Sequence, residues 1–156
     1  MMEIILSNAE LMVAAQVGAM RRVSSIKRNF NTHAKAFKPG LEWVHDIDGA
    51  ASEMAVAKML NVYWVPSVNA GKAADVESFQ IRSTNHEYGK LLIRQHDVKN
   101  EKYILVVSRH PLFKVVGWIW ADEAKVDKYW KEPDETGVGA WWVPQSDLKP
   151  MSTVYD

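Results

Sequence analysis

Apolar residues recur every three to four positions over residues 11–26, the spacing of one helix face. Just ahead, Ser7 can cap that helix and Glu10, three residues on, can close a capping box, so an N-terminal helix over about 8–28 is expected. Pro39 and Gly40 then break the chain. Residues 49–60 read as a second helix rich in alanine, methionine and leucine, with Asp46 and Asp48 placed where a helix entrance favours carboxylates. Small residues over 66–74 form a loop into Asp75. From Phe79 the period becomes two: Phe79, Ile81 and Ser83 fall on one side and Gln80, Arg82 and Thr84 on the other, a strand with one polar face. A short strand is expected over 90–94, and 103–108 and 114–120 are β-branched and aromatic runs whose hairpin-sized link makes them antiparallel neighbours. A further helix over 122–130 and a charged loop over 131–139 follow. Residues 140–143 read as an edge strand or a return to the core, and the tail after Pro150 is expected to fray. The expectation is one α/β (α+β) domain over 1–156, with a central mixed sheet of about four to five strands flanked by helices.

Composition narrows the function classes. With 156 residues the chain can bury a hydrophobic core. Nineteen Lys and Arg balance nineteen Asp and Glu, so no bulk field draws it to nucleic acid or membrane, although a local basic surface is still open. Residues 11–41 contain no acid and carry Arg21, Arg22, Lys27, Arg28, Lys35 and Lys38. These are either cations that complement a helix C-terminus or contacts for phosphate. The absence of cysteine excludes disulfides, thiolate zinc sites and a cysteine nucleophile. Seven scattered tryptophans fit packing, with a minority free to stack on bases. The apolar start is short and interrupted by Glu3, unlike a signal peptide, and no run reaches the ~20 residues of a spanning helix, so a soluble cytoplasmic protein is expected.

A metal-dependent phosphodiesterase needs carboxylates to hold a divalent cation and a cationic or polar group near the attacking water. Glu53 shares a helix side with Gly49, Ala50, Val56, Ala57 and Leu60, and a carboxylate aimed into an apolar face needs a partner. It either serves a site or simply favours the first turn of its helix. Asp75 stands where a loop enters a strand, and Gln80 and Arg82 project from one face of that strand. Thr84 shares this face and could hydrogen-bond a nucleotide; Lys72, in the preceding loop, could reach a phosphate. Glu77 could stand in as a ligand but more simply faces solvent. His45, His86 and His96 lack zinc-site spacing, and no Gly-rich phosphate loop or Gly-x-Ser-x-Gly elbow occurs.

This order, Glu53, then Ala74-Asp75-Val76, then Phe79-Gln80-Ile81-Arg82, then Val115-Val116-Gly117-Trp118-Ile119, resembles the core of the PD-(D/E)XK nuclease-like superfamily, in particular its small phage-encoded members. The likeness covers about half the chain, over a core of about 47–121. It implies a restriction-endonuclease-like core in which Asp75 is the central metal ligand. Gln80 takes the usual glutamate or aspartate position, Arg82 the usual lysine position, and the backbone carbonyl of Ile81 also faces the metal. Glu53 binds through water or orients the site. The implied activity is hydrolysis of a phosphodiester bond in DNA, or less expectedly RNA, with Mg2+ or Mn2+, in the host cytoplasm if the protein is phage-encoded. Two departures bear on this. Glutamine brings an oxygen but no charge, and arginine stays protonated, so Arg82 can stabilise phosphoryl charge but cannot act as a base.

Two other classes remain open. One is a relative that kept the fold and binds nucleic acid without metal, using Arg21, Arg22, Lys27 and Arg28. The other is a protein-interaction module with a tryptophan surface. Domains of this size often pair to grip both strands, which makes a homodimer conceivable, although the sequence carries no dimerisation pattern.

Overall fold

The computed structural model describes residues 1–28, 40–68, 73–133 and 139–156. It is a mixed α+β structure. Strand β1 (Met2–Ile5) leads into helix α1 (Asn8–Lys27). The capping box expected from the sequence is formed: Ser7 Oγ accepts from the Glu10 N–H at 3.2 Å, and Glu10 accepts from the Ser7 N–H at 2.6 Å. Helix α2 (Glu42–Leu60) follows and ends at Asn61, which adopts the left-handed conformation that asparagine tolerates at a helix terminus.

The start of α2 corrects the sequence reading. The helix begins at Glu42, not at 49, so Asp46 and Asp48 lie within it and not at its entrance. Asp46 faces Arg22 at 3.5 Å, and Asp48 meets His110 Nε2 at 2.6 Å. Gly49 faces open space within α2, and the close approach of α1 lies two to three residues earlier, at Asp46 and Ile47. The approach is close: a Cβ added to Gly18 of α1 would lie 2.5 Å from the Ile47 Cα of α2, so the two backbones touch where Gly18 stands.

A four-stranded sheet carries the site. Its strands are β1, β2 (Phe79–Thr84), β4 (Lys102–Arg109) and β5 (Leu112–Trp120), in the order β1-β5-β4-β2. The β4–β5 and β1–β5 pairs are antiparallel and β2–β4 is parallel. Val116 is the extra residue of a bulge opposite Leu105 and Val106, which lets Val115 and Trp118 share a face with Ile104 and Val106. One face packs on the alanines of α2 through Phe79, Ile81, Ile104, Val106 and Val115. The other, through Tyr103, Leu105, Val107 and Ile119, packs on a second sheet. Because both faces are covered, β4 is buried from Lys102 through Ser108 and reads as a continuous apolar run, not an alternating one.

The second sheet has the order β3-β7-β6, from β3 (Leu91–Ile93), β6 (Trp130–Lys131) and β7 (Ala140–Val143). Of the two readings of 140–143, the return to the core holds and the edge strand does not, and the helix expected over 122–130 is shortened. Strand β7 is central, with a partner on each side, and only Ala121–Ala124 (α3) of the stretch expected to be helical forms an α-helix. The aromatic residue Trp130 pairs instead with Trp141, their rings 4.8 Å apart. Nor does the C-terminal tail fray. Met151 and Val154 are buried, the Trp118 indole donates to the Pro150 carbonyl at 3.1 Å, and the Lys102 ammonium donates to the Val154 carbonyl while lying over the Trp118 and Trp120 rings. Among the described residues, no helix is long and apolar enough to cross a membrane.

Candidate active site

The site gathers at the free edge of β2, the edge not paired with β4. Ahead of β2 the chain makes a tight turn. The Phe79 N–H donates to the Val76 carbonyl at 2.8 Å, and the Phe79 carbonyl accepts from the N–H groups of Asp75 and Val76. Glu77 sits at the tip with positive φ. The turn folds Asp75 back alongside its own strand, so that its Oδ2 accepts from the Ile81 N–H at 2.7 Å. Six residues apart in sequence, Asp75 and Ile81 are thereby neighbours. In an extended strand the N–H and C=O of one residue point to the same edge, so the Ile81 carbonyl is directed to the Asp75 side.

The sheet itself divides the other candidates. Glu53 approaches from the α2 face, the face of Phe79 and Ile81, whereas Gln80 and Arg82 lie on the opposite face. Asp75 stands between, within electrostatic reach of Glu53, Arg82 and Arg21. Gln80, Arg82 and Asp75 line a pocket of about 270 Å³ completed by Ala73, Asp97 and Tyr103 among others. Thr84 shares their strand face but not this pocket; its Oγ1 accepts from the His86 N–H at 3.2 Å. Glu77 is exposed and accepts from the Tyr155 hydroxyl at 2.8 Å. Lys72 lies outside the described residues, as do Lys35 and Lys38.

Glu53 is buried and fully engaged. Arg21 of α1 reaches it with both terminal nitrogens, Nη1 to Oε1 at 2.6 Å and Nη2 to Oε2 at 2.8 Å, and the Trp64 indole donates to Oε2 at 3.2 Å. Arg21 Nε donates to the Ser67 carbonyl at 2.8 Å. Burial disfavours the charge on Arg21, but the bond to Glu53 and its charge outweigh this and hold the guanidinium protonated more firmly than usual. Arg22 is buried too and faces Asp46. Of the cations assigned to phosphate from the sequence, the structure thus turns Arg21 and Arg22 inward, while Lys27 and Arg28 are exposed at the end of α1.

Arg82 has a partner that sequence reasoning missed. Its Nη2 lies 3.0 Å from both oxygens of Asp97, whose carboxylate also accepts from the Arg94 N–H at 2.8 Å. The guanidinium lies over the Tyr103 ring, 5.0 Å from its centroid, and Tyr103 in turn donates to Glu101 at 3.2 Å. Asp97 belongs to an irregular segment between β3 and β4, and no local pattern marks it; only the parallel β2–β4 pairing brings that segment over Arg82.

The resulting charge pattern is uneven. Among the described residues Arg21 pairs with Glu53 and Arg82 with Asp97, a third guanidinium, Arg94, lies within electrostatic reach of Asp97 and Arg82, and Asp75 makes no ion pair. Glu53 and Asp97 have each captured a cation, and among the described residues Asp75 has only the Ile81 N–H. Burial, and then the negative charge of Glu53, push the Asp75 carboxyl from 3.8 up to about 6, against the opposing pull of the Ile81 N–H and the two arginines. Among the described residues, Asp75 is therefore the carboxylate of this group without an ion-pair partner.

Asp75 and the Gln80 amide offer hard oxygens to the pocket and the Ile81 carbonyl lies on the Asp75 side, while Asp97, Glu101 and the His96 ring also line it. Among the described residues, no group of three or more His, Asp or Glu is arranged to enclose a metal ion. That set of oxygens fits Mg2+ or Mn2+, which keep several waters and need one or two carboxylates, and does not fit a closed zinc site. Comparison with family models, with curated proteins and with solved structures finds no match for this chain.

Proposed function

We propose that this protein hydrolyses a phosphodiester bond of nucleic acid, with DNA as the expected substrate, at a divalent-cation site centred on Asp75. The likeness to the PD-(D/E)XK order and a restriction-endonuclease-like core belong to this reading. The observation that carries it is Asp75, without an ion-pair partner among the described residues: a partly buried carboxylate, raised to about 6, at the wall of a pocket that also holds Gln80 and Arg82.

Asp75, the Gln80 amide oxygen and the Ile81 carbonyl would hold the cation, Mg2+ or Mn2+. When bound, such a cation polarises a phosphoryl oxygen and acidifies a bound water. The protein's own groups do the rest. The Gln80 amide nitrogen donates to the Ala73 carbonyl at 3.4 Å, which leaves oxygen as the end to offer a hard cation. Arg82, fixed by Asp97 and the Tyr103 ring, presents its guanidinium to a phosphate entering the pocket. Glu53 acts by charge on Asp75 and not as a direct ligand, since its oxygens already accept three hydrogen bonds. At about 270 Å³ the pocket lies at the small end of ligand sites and suits a phosphate with its cation better than a whole nucleotide.

The test is Mn2+ and Mg2+ binding by calorimetry, with cleavage of duplex DNA, single-stranded DNA and RNA, on the parent and Asp75→Ala. Both activities should vanish in the variant; cleavage undiminished in Asp75→Ala overturns the reading.

A second reading has an observation of its own. Arg82 is tied to Asp97 and Glu53 to Arg21, so two of the four candidate groups are neutralised internally. That favours a relative that binds nucleic acid without chemistry, through exposed cations such as Lys27 and Arg28. It predicts metal-independent binding that weakens with salt and falls when Lys27 and Arg28 are both changed to Glu.

A further inference from the structure

We infer that Arg21 is the built-in counter-ion of the Glu53–Asp75 carboxylate pair and sets how tightly this sheet edge takes a divalent cation. The inference deepens the reading of Asp75 as the anchor of a cation site and rests on it. Arg21 projects from α1 and uses every nitrogen of its guanidinium: two on Glu53 at 2.6 and 2.8 Å and the third on the Ser67 carbonyl at 2.8 Å. The Trp64 indole adds a donor to Glu53 at 3.2 Å. Glu53 is thus held by donors from two sides, and its charge is answered by an internal cation where a metal would otherwise answer it.

The consequence follows from electrostatics. Two carboxylates close enough to feel each other, one of them buried, are a poor arrangement without positive charge between or beside them. Arg21 supplies that charge from one side only, the Glu53 side, and its fork leaves Asp75 to whatever cation arrives from the pocket. With Arg21 present, an arriving cation is repelled by the guanidinium and meets only one free carboxylate. Without it, Glu53 would keep only the Trp64 indole as a donor, and the cation would feel a second carboxylate charge and one guanidinium fewer, Arg82 remaining at the pocket. Arg21 is a positioning residue: it fixes the Glu53 rotamer and holds the divalent site to weak, water-rich binding suited to release.

The experiment uses the full chain with MnCl2 and MgCl2 and no nucleic acid, at constant ionic strength maintained with KCl. It reads affinity by calorimetry and the unfolding temperature with and without metal, in the parent, Arg21→Gln and Arg21→Gln/Glu53→Gln. Arg21→Gln should melt lower than the parent without metal, gain more from Mn2+, and bind it roughly tenfold or more tightly. The double variant should lose that gain. Affinity in Arg21→Gln equal to or below the parent, or a double variant as tight as the single one, overturns the inference. Arg21→Lys keeps a cation but not the fork and carries the test if Arg21→Gln does not fold. It should bind Mn2+ more tightly than the parent, and parental affinity overturns the inference. The two readings separate cleanly. A parent that binds metal with no gain in Arg21→Gln refutes only the role of Arg21. A parent that binds none beside a variant that does refutes only the cation site in the native protein. Absence of binding in both refutes both.

Discussion

Changing Asp75 to asparagine should make the metal-free protein more stable at neutral pH, the opposite of what loss of a paired carboxylate does. The amide would keep an oxygen to accept from the Ile81 N–H, as the Asp75 carboxylate does, and the change would remove only the charge. The folded-state pKa of Asp75 is raised, from 3.8 to about 6, so the native state binds the extra proton between those values and stability falls as pH rises through them. The contribution of the neutral carboxyl is fully present below about pH 4 and lost above about pH 6. At about 1.4 kcal/mol per pH unit, ionised Asp75 costs about 3 kcal/mol at pH 7 to 8. For a chain of this size that corresponds to about 6–12 °C in unfolding temperature. The assay is thermal and urea unfolding of both proteins in EDTA from pH 4 to 8. Asp75→Asn should be the more stable at pH 8, and the two should converge towards pH 4. Adding Mg2+ at pH 8 should narrow the gap mainly from the parent side, because a charged carboxylate gains more from the cation than an amide oxygen does. A gap independent of pH, or an asparagine variant less stable at pH 8, would refute the electrostatic account of this site.

Two further predictions concern what holds the site. Asp97→Asn should cost about 2 kcal/mol, less than the 3–5 kcal/mol of a wholly buried pair because Arg82 is partly exposed, and Arg82 Nε is already buried without a partner. A urea midpoint within error of the parent would show that Asp97 does not hold Arg82. Gly18→Ala should destabilise by roughly 1–3 kcal/mol even though alanine is the better helix former, since the new Cβ would lie 2.5 Å from backbone of α2 that cannot move alone. An increase in stability would mean that the α1–α2 approach is looser than the structure has it.

What was legible in the sequence is what local chemistry fixes. Ser7 and Glu10 announce their capping box because both partners lie within one turn, and the period-two run from Phe79 announces which side chains leave the sheet with Gln80 and Arg82. The antiparallel β4–β5 pair is local in the same sense. The early turns of α2 were hidden because Gly49 with two aspartates looks like an entrance, and tertiary partners, Arg22 and the bare backbone at Gly18 from α1 and His110 beyond β4, give those turns something to meet. The C-terminal tail was hidden for the same kind of reason. Its polar sequence reads as fraying, yet Lys102 and Trp118, far away in the chain, supply the donors that fasten its carbonyls. At the site, Asp75 could be singled out, but its partners could not be assigned: Arg21 to Glu53 and Arg82 to Asp97 are both choices made by tertiary contact.

Those two pairings alter how the constellation should be understood. From residue types alone, Glu53, Asp75, Gln80 and Arg82 look like four equal members of one cluster. In the folded chain the sheet stands between Glu53 and the Gln80–Arg82 face, and each end of the cluster is closed by its own opposite charge. Glu53 and Arg82 are therefore fixed in place before any ligand arrives, which lowers the cost of ordering them but also leaves neither free to take a second strong partner. Of the four, Asp75 at the edge has no ion-pair partner among the described residues, and it stands on the side that opens to the pocket. A cation-dependent function must run through that one carboxylate. A function without a cation must explain why the chain folds a carboxyl back along its own strand and leaves it there at an energetic cost.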